Sequence, residues 1–571
     1  MRLRNWFSFL AILVSFAMVM TACGGGDDEP APAPTSAPAA TATRPAAPAA
    51  TAAPAPTATP APTATPAAKR GGTLRLGGGN SNGLDPHTNT FNSAGRDIAR
   101  LFSNGLIKKD LKASSIAPDL AASWQYDSAG TALTFKIRQG VKFQNIAPVN
   151  GRNMTAEDVR YSLDRIMNPA KDNPKATLRV NFANVKGVEV VDPETVKLTL
   201  SVPDAELINY IAHEQTVILA KEAAIDGAYG DVRALIGTGP FIVKALQPSG
   251  GGESRYERNT TYFIPDRPYV DVITYLQNDN PAIRNAALRS KQLDWAAVQT
   301  PNDVRFFVGT GEVTTSNTEG KLWGTTGMWM NTTIAPFNDI RIRRALSLAI
   351  DRTAITDGAF NGAAGATGPL GNSAPGWDLA KVKSLPGYGD KKAEIAQAKA
   401  IMKEAGVENG FTFTVHTDPN YYDPPLAVIQ AQLKQDANIT MNIVRDSSYN
   451  YRFATYVKEK NAQAVFMQSL GTSADQPFFL HYRSDGPRNM AQLNDPALNA
   501  AIDQQRATLD ATARGRMLND LQQRIFDIQP AAYTVYYTWT YIAFNYVKNW
   551  FGPPEAFNFS AAQIQDAWLD K

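Results

Sequence analysis

Histidine and cysteine side chains supply most metal ligands and many bases and nucleophiles in proteins, and this sequence holds few of either. It has one cysteine, Cys23, and four histidines. The histidines lie far apart, at His87, His213, His416 and His481. The pair His213-Glu214 lacks the second histidine that a zinc-binding helix requires. The sequence therefore predicts neither a metal site nor a cofactor site, and an enzyme is the least favoured class.

Cys23 has a context that points to a different chemistry. Arg2 and Arg4 precede an apolar stretch from Trp6 to Met20, which is shorter than a membrane-spanning helix of about 20 residues and is typical of a secretory signal. The run Met20-Thr21-Ala22-Cys23 resembles the lipobox of bacterial lipoproteins, in which the cysteine is lipidated. We expect a signal peptide over 1–22 and a lipid anchor at Cys23. The alternative is an ordinary signal peptide with an incidental cysteine.

The segment after Cys23 has a composition that does not form a core. From Pro30 to Ala68, every residue is Pro, Ala or Thr except Ser36 and Arg44. Such a chain has no large apolar side chains to bury, and its prolines favour an extended conformation that reaches up to roughly 120 Å. We interpret residues 23–68 as an anchor and a disordered linker.

Composition and charge narrow the class of the remaining chain. The 571 residues carry a formal net charge of +3, which falls when Arg2 and Arg4 leave with the signal peptide, and no dense basic run is present. Nucleic acid is therefore not expected as a partner. The body from Lys69 onward is too long for one core and predicts two or three lobes.

Hydrophobic periodicity predicts the elements that would position a site. Strands are expected around Leu74–Leu76 and Leu133–Ile137, and a capping box at Thr155 to Asp158 predicts a helix to about Met167. An Asp-Pro turn joins two alternating runs into a hairpin over 188–200. Asp339 precedes an amphipathic helix, and the strand–helix–strand pattern over 411–444 predicts a parallel pair of strands in an α/β lobe.

The stretch Gly237-Thr238-Gly239-Pro240 has the glycines of a phosphate-binding loop but not its donors. It lacks a third glycine, and Pro240 has no backbone N–H. We interpret this stretch as a structural turn.

Taken in order along the chain, several stretches closely resemble the extracytoplasmic solute-binding proteins of ABC importers, family 5, whose members bind dipeptides, oligopeptides or nickel. They include GGTLRLG, LTFKIRQGVKFQ, MTAEDVRYSLDRI, GTGPF, NTTYF, MNTTIAPFNDIRIRRALSLAIDRTAI and NDPALNAAIDQQ. The resemblance implies an α/β, two-lobed periplasmic-binding-protein-like fold of type II, with an extra β-rich domain inserted in the first lobe. It places the first lobe at 69–117, 215–327 and 530–571, the inserted subdomain at 118–214 and the second lobe at 328–529.

The resemblance also implies where a ligand binds. In relatives that bind peptides, the peptide backbone pairs with two short stretches of the protein. These correspond here to Asn89, Thr90, Phe91 and Asn92, and to Leu470, Gly471, Thr472 and Ser473. The relatives bind the peptide amino group with an aspartate near a Trp-Xaa-Xaa-Asp pattern. The Trp is absent here, and Asp475 is the nearby acid, although an Asp before Pro477 serves equally well as a helix N-cap.

Other side chains are weaker candidates for ligand contact. For a ligand carboxylate, Arg483, Arg488 and Arg445 are available, whereas Arg341, Arg343 and Arg344 begin a helix that the family keeps for structure. Five aromatic residues are candidates either for the wall of the site or for ordinary packing: Trp323, Trp329, Trp377, Tyr449 and Tyr451.

The function implied by the resemblance is capture of a di- or oligopeptide and its delivery to the permease of an ABC importer. The protein is expected to be a monomer without cofactor, tethered outside the cytoplasm through Cys23, in the periplasm or on the outer face of the membrane. The missing Trp-Xaa-Xaa-Asp pattern leaves a non-peptide solute such as an oligosaccharide open. A sensory or chaperone-like binding protein without a permease is a further alternative.

Overall fold

The computed structural model describes residues 67–79, 85–87, 99–110, 115–168, 178–223, 235–247, 252–298, 300–317, 325–360, 364–371, 376–417, 419–446, 456–469, 471, 473–537, 540–550 and 561–571. Among these residues, four groups of buried side chains, two of them on opposite faces of one sheet, and three main sheets mark a first lobe, an inserted subdomain and a second lobe.

The first lobe is built on a seven-stranded sheet that collects strands from distant parts of the chain. In sheet order the strands are β12 (Val313–Asn317), β20 (Thr540–Phe544), β11 (Trp295–Val298), β1 (Thr73–Gly78), β10 (Val272–Gln277), β9 (Glu253–Arg258) and β8 (Phe241–Ala245). Its helices are α3 (Pro281–Arg289) and α4 (Pro301–Gly309). β1 is parallel to both of its neighbours, and the other pairs are antiparallel.

The core of this lobe explains why β1 forms where the alternation predicts it. Leu74 and Leu76 are fully buried, while Thr73 and Arg75, which alternate with them, are partly exposed. Each fully buried leucine contributes roughly 1.5–3 kcal/mol. The indole of Trp295 stacks on the Tyr541 ring with centroids 5.5 Å apart, which joins β11 to β20.

The inserted subdomain is an antiparallel sheet covered by helices. Its strands are β4 (Ala121–Tyr126), β5 (Ala132–Ile137), β7 (Thr195–Leu200) and β6 (Val185–Asp192), and its helices are α1 (Ala156–Met167) and α2 (Leu207–Ile211). The predicted capping box is confirmed, because the Asp158 carboxylate accepts from the Thr155 N–H and hydroxyl, each at 2.9 Å. The hairpin over 188–200 is confirmed as β6 and β7.

The second lobe is built on a five-stranded sheet with most of the helices. Its strands in order are β16 (Thr440–Arg445), β15 (Thr412–Thr417), β17 (Ala464–Gln468), β13 (Thr326–Met330) and β18 (Ala531–Tyr533). Its helices are α5 (Ile340–Ala349), α6 (Arg352–Phe360), α7 (Leu379–Lys383), α8 (Lys391–Glu404), α9 (Pro419–Ala437), α10 (Asp475–Pro477), α11 (Pro496–Ala507) and α12 (Ala511–Ile528). β15 and β16 pair in parallel across α9, which confirms the predicted strand–helix–strand unit.

The chain passes between the two large sheets twice, after β12 and again before β20. The predicted boundary after residue 529 lies before the second passage, because β18 pairs with β13 and β19 (Val535–Tyr537) pairs with β14 (Ala364–Ala366). The second lobe therefore extends to residue 537. The sequence alone does not indicate this boundary, because the largely apolar run AAYTVYY continues through both β18 and β19.

The inserted subdomain also begins earlier than residue 118. β2 (Ile107–Asp110) and β3 (Ser115–Pro118) form a hairpin, and Leu106 and Ile107 belong to the subdomain core. A short pair, β21 (Val547–Lys548) and β22 (Trp568–Leu569), completes the strands. Short 3₁₀ turns occur at Arg179–Phe182 and Ala561–Asp566. Across the ranges given above, no helix combines the length and apolarity needed to cross a membrane.

The Gly237 stretch is a turn, as expected. It precedes β8, and the Gly239 N–H donates to the Phe102 carbonyl at 2.9 Å. A Cβ on Gly239 would lie 2.4 Å from the Phe102 carbonyl carbon, so only glycine fits this approach.

Candidate functional site

Several of the expected site residues lie outside the residues that the structure describes. They are Cys23, Asn89, Thr90, Phe91, Asn92, Trp323, Tyr449, Tyr451, Leu470 and Thr472. The described remainder of the expected site consists of Gly471, Ser473, Asp475, Trp329 and Arg483.

The residues just before Asn89 are clamped between the first lobe and the inserted subdomain. The Asp85 carboxylate accepts two hydrogen bonds from the Arg165 guanidinium of α1, at 2.9 and 2.6 Å. The His87 ring is fully buried, with Nε2 3.0 Å from the Val217 carbonyl. Burial and the nearby Arg165 lower the pKa of His87 to about 4, so the ring is neutral. These contacts hold residues 85–87, which precede the first expected ligand stretch in the chain.

Gly471, in the second expected stretch, lies between β17 and α10 in the chain. A Cβ on Gly471 would lie 2.6 Å from the Pro477 Cδ, so there is no room for a side chain at this position. After α10 the backbone widens into a π-helical turn, Phe478–Tyr482. Such turns occur often at functional sites.

Asp475 is fully buried at the start of α10. Ala474, not Asp475, is the N-cap of this turn. The Asp475 carboxylate instead accepts from the side-chain amide of Gln505 and from the Tyr210 hydroxyl at 3.5 Å, and its Oδ2 lies 3.8 Å from the Arg506 guanidinium. Burial is the main reason that the pKa of Asp475 is raised to about 6.

Two further buried acids face Asp475 from the inserted subdomain. Asp204 and Glu206 lie between β7 and α2, and both are 1% exposed. The Asp204 Oδ1 accepts from the backbone N–H groups of Glu206 and Leu207, at 3.0 and 3.2 Å, and so begins α2. Burial alone would raise the pKa of Glu206, but Arg514 and the Ser473 hydroxyl outweigh it, so the pKa is lowered.

The second lobe contributes two arginines to the same place. Arg506 ends α11 and donates from Nε to both oxygens of Asp204, at 3.1 and 3.0 Å. Arg514 lies on α12, donates to the Glu206 carboxylate and donates from Nε to the side-chain Oε1 of Gln505 at 3.1 Å. Both arginine pKa values are raised, because their carboxylate partners outweigh the effect of burial.

We call these seven side chains the interlobe cluster: Asp204, Glu206, Tyr210, Asp475, Gln505, Arg506 and Arg514. Three carboxylates and two guanidiniums meet there, and all but Arg514 are nearly inaccessible to solvent. Among the described residues, the cluster therefore lacks one positive charge when Asp475 is ionised. A buried charge without a partner is costly, so a proton or a cationic group is favoured here.

Three of the arginines considered for a ligand carboxylate are held by the protein's own acids or carbonyls. Arg483 bonds Asp503 and donates from Nε to Asp485 at 2.8 Å. Arg445 is exposed and pairs with Asp423 at 2.8 Å. Arg343 has a structural role, as the helix start implies, and donates to the carbonyls of Phe337, Ile528 and Gln529.

The described tryptophans pack into the second lobe. Trp329 is fully buried on β13 and stacks on the neutral His481 ring with centroids 5.0 Å apart. Tyr482 and Tyr533 complete this aromatic group. Trp377 packs edge to face on Phe526.

Sequence reasoning missed most of the interlobe cluster. Asp204, Glu206, Gln505, Arg506 and Arg514 belong to polar stretches that are typical of exposed helix ends. The one available signal is the run Pro203-Asp204-Ala205-Glu206, where two acids directly precede the apolar start of a short helix.

Comparison with known proteins gives a consistent picture. The family model described as bacterial extracellular solute-binding proteins, family 5, middle region, matches residues 115–490. Di/tripeptide-binding protein 1 of Pseudomonas aeruginosa (strain UCBPP-PA14) is 26% identical over 419 residues, which cover 70% of this chain and 75% of that protein. Glutathione-binding protein GsiB of Escherichia coli (strain K12) is 28% identical over 354 residues, covering 60% of this chain and 63% of its own length.

Solved structures share this fold over most of the chain. AgaA from A. tumefaciens R10, in complex with agropinic acid, has a TM-score of 0.70 and 25% identity and covers 88% of this chain and 99% of its own. DppA from Helicobacter pylori, in complex with the peptide STSA, has a TM-score of 0.74 and 21% identity over the same shares of the two chains.

Proposed function

Because this chain belongs to the bacterial extracellular solute-binding proteins, family 5, we propose that it captures a small peptide between its two lobes and delivers it to the permease of an ABC importer. The relatives named for di/tripeptides and for glutathione support a peptide as the solute. The family consists of binding proteins, and we extend this to the chain as a binding protein without catalytic activity. Lipid attachment at Cys23 would hold it at the membrane.

The observation that carries the ligand class is the charge of the interlobe cluster. Ser473 ends the stretch expected to pair with a peptide; Asp475 follows it by two residues in the chain, and Glu206 lies beside it. The third acid of the interlobe cluster, Asp204, already accepts hydrogen bonds from Arg506 and from backbone N–H groups. The amino group of a peptide supplies the positive charge that the closed cluster lacks, and Asp475 is our choice for its partner.

Binding calorimetry with matched peptides tests this proposal. Native mass spectrometry of the purified protein first identifies any solute that it retains. The peptide found, or trialanine if none is found, is then compared with its N-acetylated form, which has the same backbone and no charged amine. We expect N-acetylation to weaken binding by about two orders of magnitude or more, since a buried acid loses its partner.

A variant tests the choice of Asp475. Asp475→Asn should weaken binding of the free-amine peptide but change binding of the acetylated peptide little. Equal affinity for both peptides in the wild-type protein would contradict the amine assignment. A retained solute without an amine would contradict the peptide assignment while leaving a solute-binding role intact.

A further inference from the structure

We propose that the inserted subdomain takes part in solute capture, with Arg506 and Arg514 as positioning residues that latch the second lobe onto Asp204 and Glu206 when the lobes close. This inference rests on the proposed function and deepens it, since it assigns a role to the inserted subdomain. It concerns contacts between protein groups and is separate from the choice of a ligand partner.

Arg506 makes the most extensive connection. Its Nε bonds Asp204, a terminal nitrogen donates to the Asn181 carbonyl at 3.2 Å, and its own carbonyl accepts from the Ala205 N–H at 2.8 Å. Its guanidinium also lies 5.4 Å from the centre of the Tyr210 ring. Every one of these partners belongs to the inserted subdomain, so one side chain of α11 spans the boundary.

Asp204 is held in position for this arginine by contacts within the inserted subdomain. Its Oδ2 accepts from the Asn184 side-chain amide at 2.8 Å, and its backbone carbonyl accepts from the Tyr126 hydroxyl at 3.0 Å. These contacts come from the subdomain itself and fix the carboxylate before the second lobe arrives. A preorganised acceptor loses less side-chain entropy when the pair forms.

Burial makes the contact a latch instead of a surface ion pair. The Arg506 and Asp204 side chains are 4% and 1% exposed, whereas separation of the lobes would hydrate both. Breaking one half of a buried pair leaves an uncompensated charge, which is far costlier than losing an exposed pair. Closed lobes are therefore held by groups that do not touch the solute.

Closure of the lobes is also coupled to protonation of Asp475. Asp475 faces Arg506 and Gln505 of α11, Arg514 of α12, and Tyr210 and Glu206 of the inserted subdomain. Its carboxylate is the unmatched charge in this set. Closing the empty protein therefore favours uptake of a proton by Asp475, whereas closing on a cationic solute does not require one.

Thiol-attached pyrenes report closure directly. Ser128 and Leu509 are exposed on the two sides of the boundary, and a Cβ on Gly130 would lie 2.7 Å from the Leu509 Cδ1. Because Cys23 is the sole cysteine, a Cys23→Ser chain carrying Ser128→Cys and Leu509→Cys has two labelling sites. Excimer emission should rise when the lobes close.

The latch is tested in this labelled chain with Arg506→Gln and with Arg516→Gln as the matched control. Arg516 lies on α12 and is exposed. With trialanine, or the solute found by mass spectrometry, we expect Arg506→Gln to raise the dissociation rate at least tenfold and to reduce excimer emission, while the control stays within twofold. Adding Asp204→Asn to Arg506→Gln should recover part of the loss, because the unpaired carboxylate is removed.

Circular dichroism separates loss of the latch from loss of the fold. Wild-type dissociation rates and emission in folded Arg506→Gln would overturn the proposal.

A measurement without solute separates failure of the latch from failure of the proposed function. As the pH falls from about 7 to about 5, excimer emission of the solute-free wild-type protein should rise, and Asp475→Asn should abolish this change. If the empty protein shows this rise but no peptide binds, the latch stands and the peptide assignment fails. Emission that is independent of pH in the empty wild-type protein would overturn the proton coupling.

Discussion

At the residue scale, Asp475 predicts how binding depends on pH. Burial raises its pKa to about 6, so the ionised form that an ammonium group needs is lost as the pH falls through that value. We expect affinity for a free-amine peptide to rise as the pH increases from about 4 to about 6, by at most tenfold per unit, and to level off above. Calorimetry across this range checks it, with the N-acetylated peptide as the control. A flat profile for the free amine would count against Asp475 as its partner.

Arg343 and Arg341 give a matched pair for stability. Arg343 is buried and donates to three carbonyls, two of them at the end of α12, whereas the Arg341 side chain is 49% exposed and pairs with Asp339. Arg343→Met should lower the free energy of unfolding by about 3 kcal/mol, since buried carbonyls lose their donor. Arg341→Met should cost much less, since exposed ion pairs contribute little to stability. Chemical denaturation of both variants measures the difference, and equal losses would contradict this account.

The sequence identified single residues where a local rule applied to them. Thr155, Asp158 and Asp339 were predictable because a helix start requires a cap and supplies its own signal. Asp204 and Arg506 were not, since their burial depends on two segments that are distant in sequence meeting in space. Asp475 was chosen through a family resemblance, and its surroundings are visible in the structure alone.

At the element scale, two glycines differ in the space that is available for a side chain. A Cβ on Gly239 would meet the Phe102 backbone at 2.4 Å, whereas one on Gly187 in β6 would meet nothing within 4 Å. Gly239→Ala should destabilise the protein by about 1–3 kcal/mol through overpacking. Gly187→Ala should be neutral or slightly stabilising. Thermal unfolding of the two variants side by side is the measurement, and similar melting temperatures would refute the packing argument.

Element types were predictable and one boundary was not. α9 begins at Pro419, although Pro424 and Pro425 stand inside it and the sequence favours a start at the second of these. The additional turn carries Tyr422, whose hydroxyl accepts from the Gln468 N–H at 3.2 Å and whose ring packs edge to face on Phe466. Contacts with β17 thus outweigh the local preference, and such contacts have no signature in a short window of sequence.

At the scale of the whole molecule, the linker and Cys23 predict how the protein is held. Cys23→Ser should release the protein from membranes and abolish lipid labelling, while peptide affinity stays unchanged because Cys23 lies far from the body in sequence. Deletion of residues 30–66 with Cys23 kept is the matched control, and it should leave both membrane attachment and melting temperature nearly unchanged. Fractionation with radiolabelled palmitate distinguishes these outcomes. Membrane retention of Cys23→Ser would refute the lipid anchor.

The place of β20 in the first lobe has a consequence for biogenesis. This strand lies between β11 and β12, yet the entire second lobe is synthesised before it. The second lobe is one continuous stretch of chain and is able to fold as soon as it leaves the translocation channel. The first lobe cannot complete its sheet until β20 emerges, because β12 pairs with β20. A chain cut short before residue 540 would keep that open edge permanently and expose it to strand pairing between molecules. Prematurely terminated copies should therefore be removed by extracytoplasmic proteases, which makes β20 a checkpoint for completed synthesis.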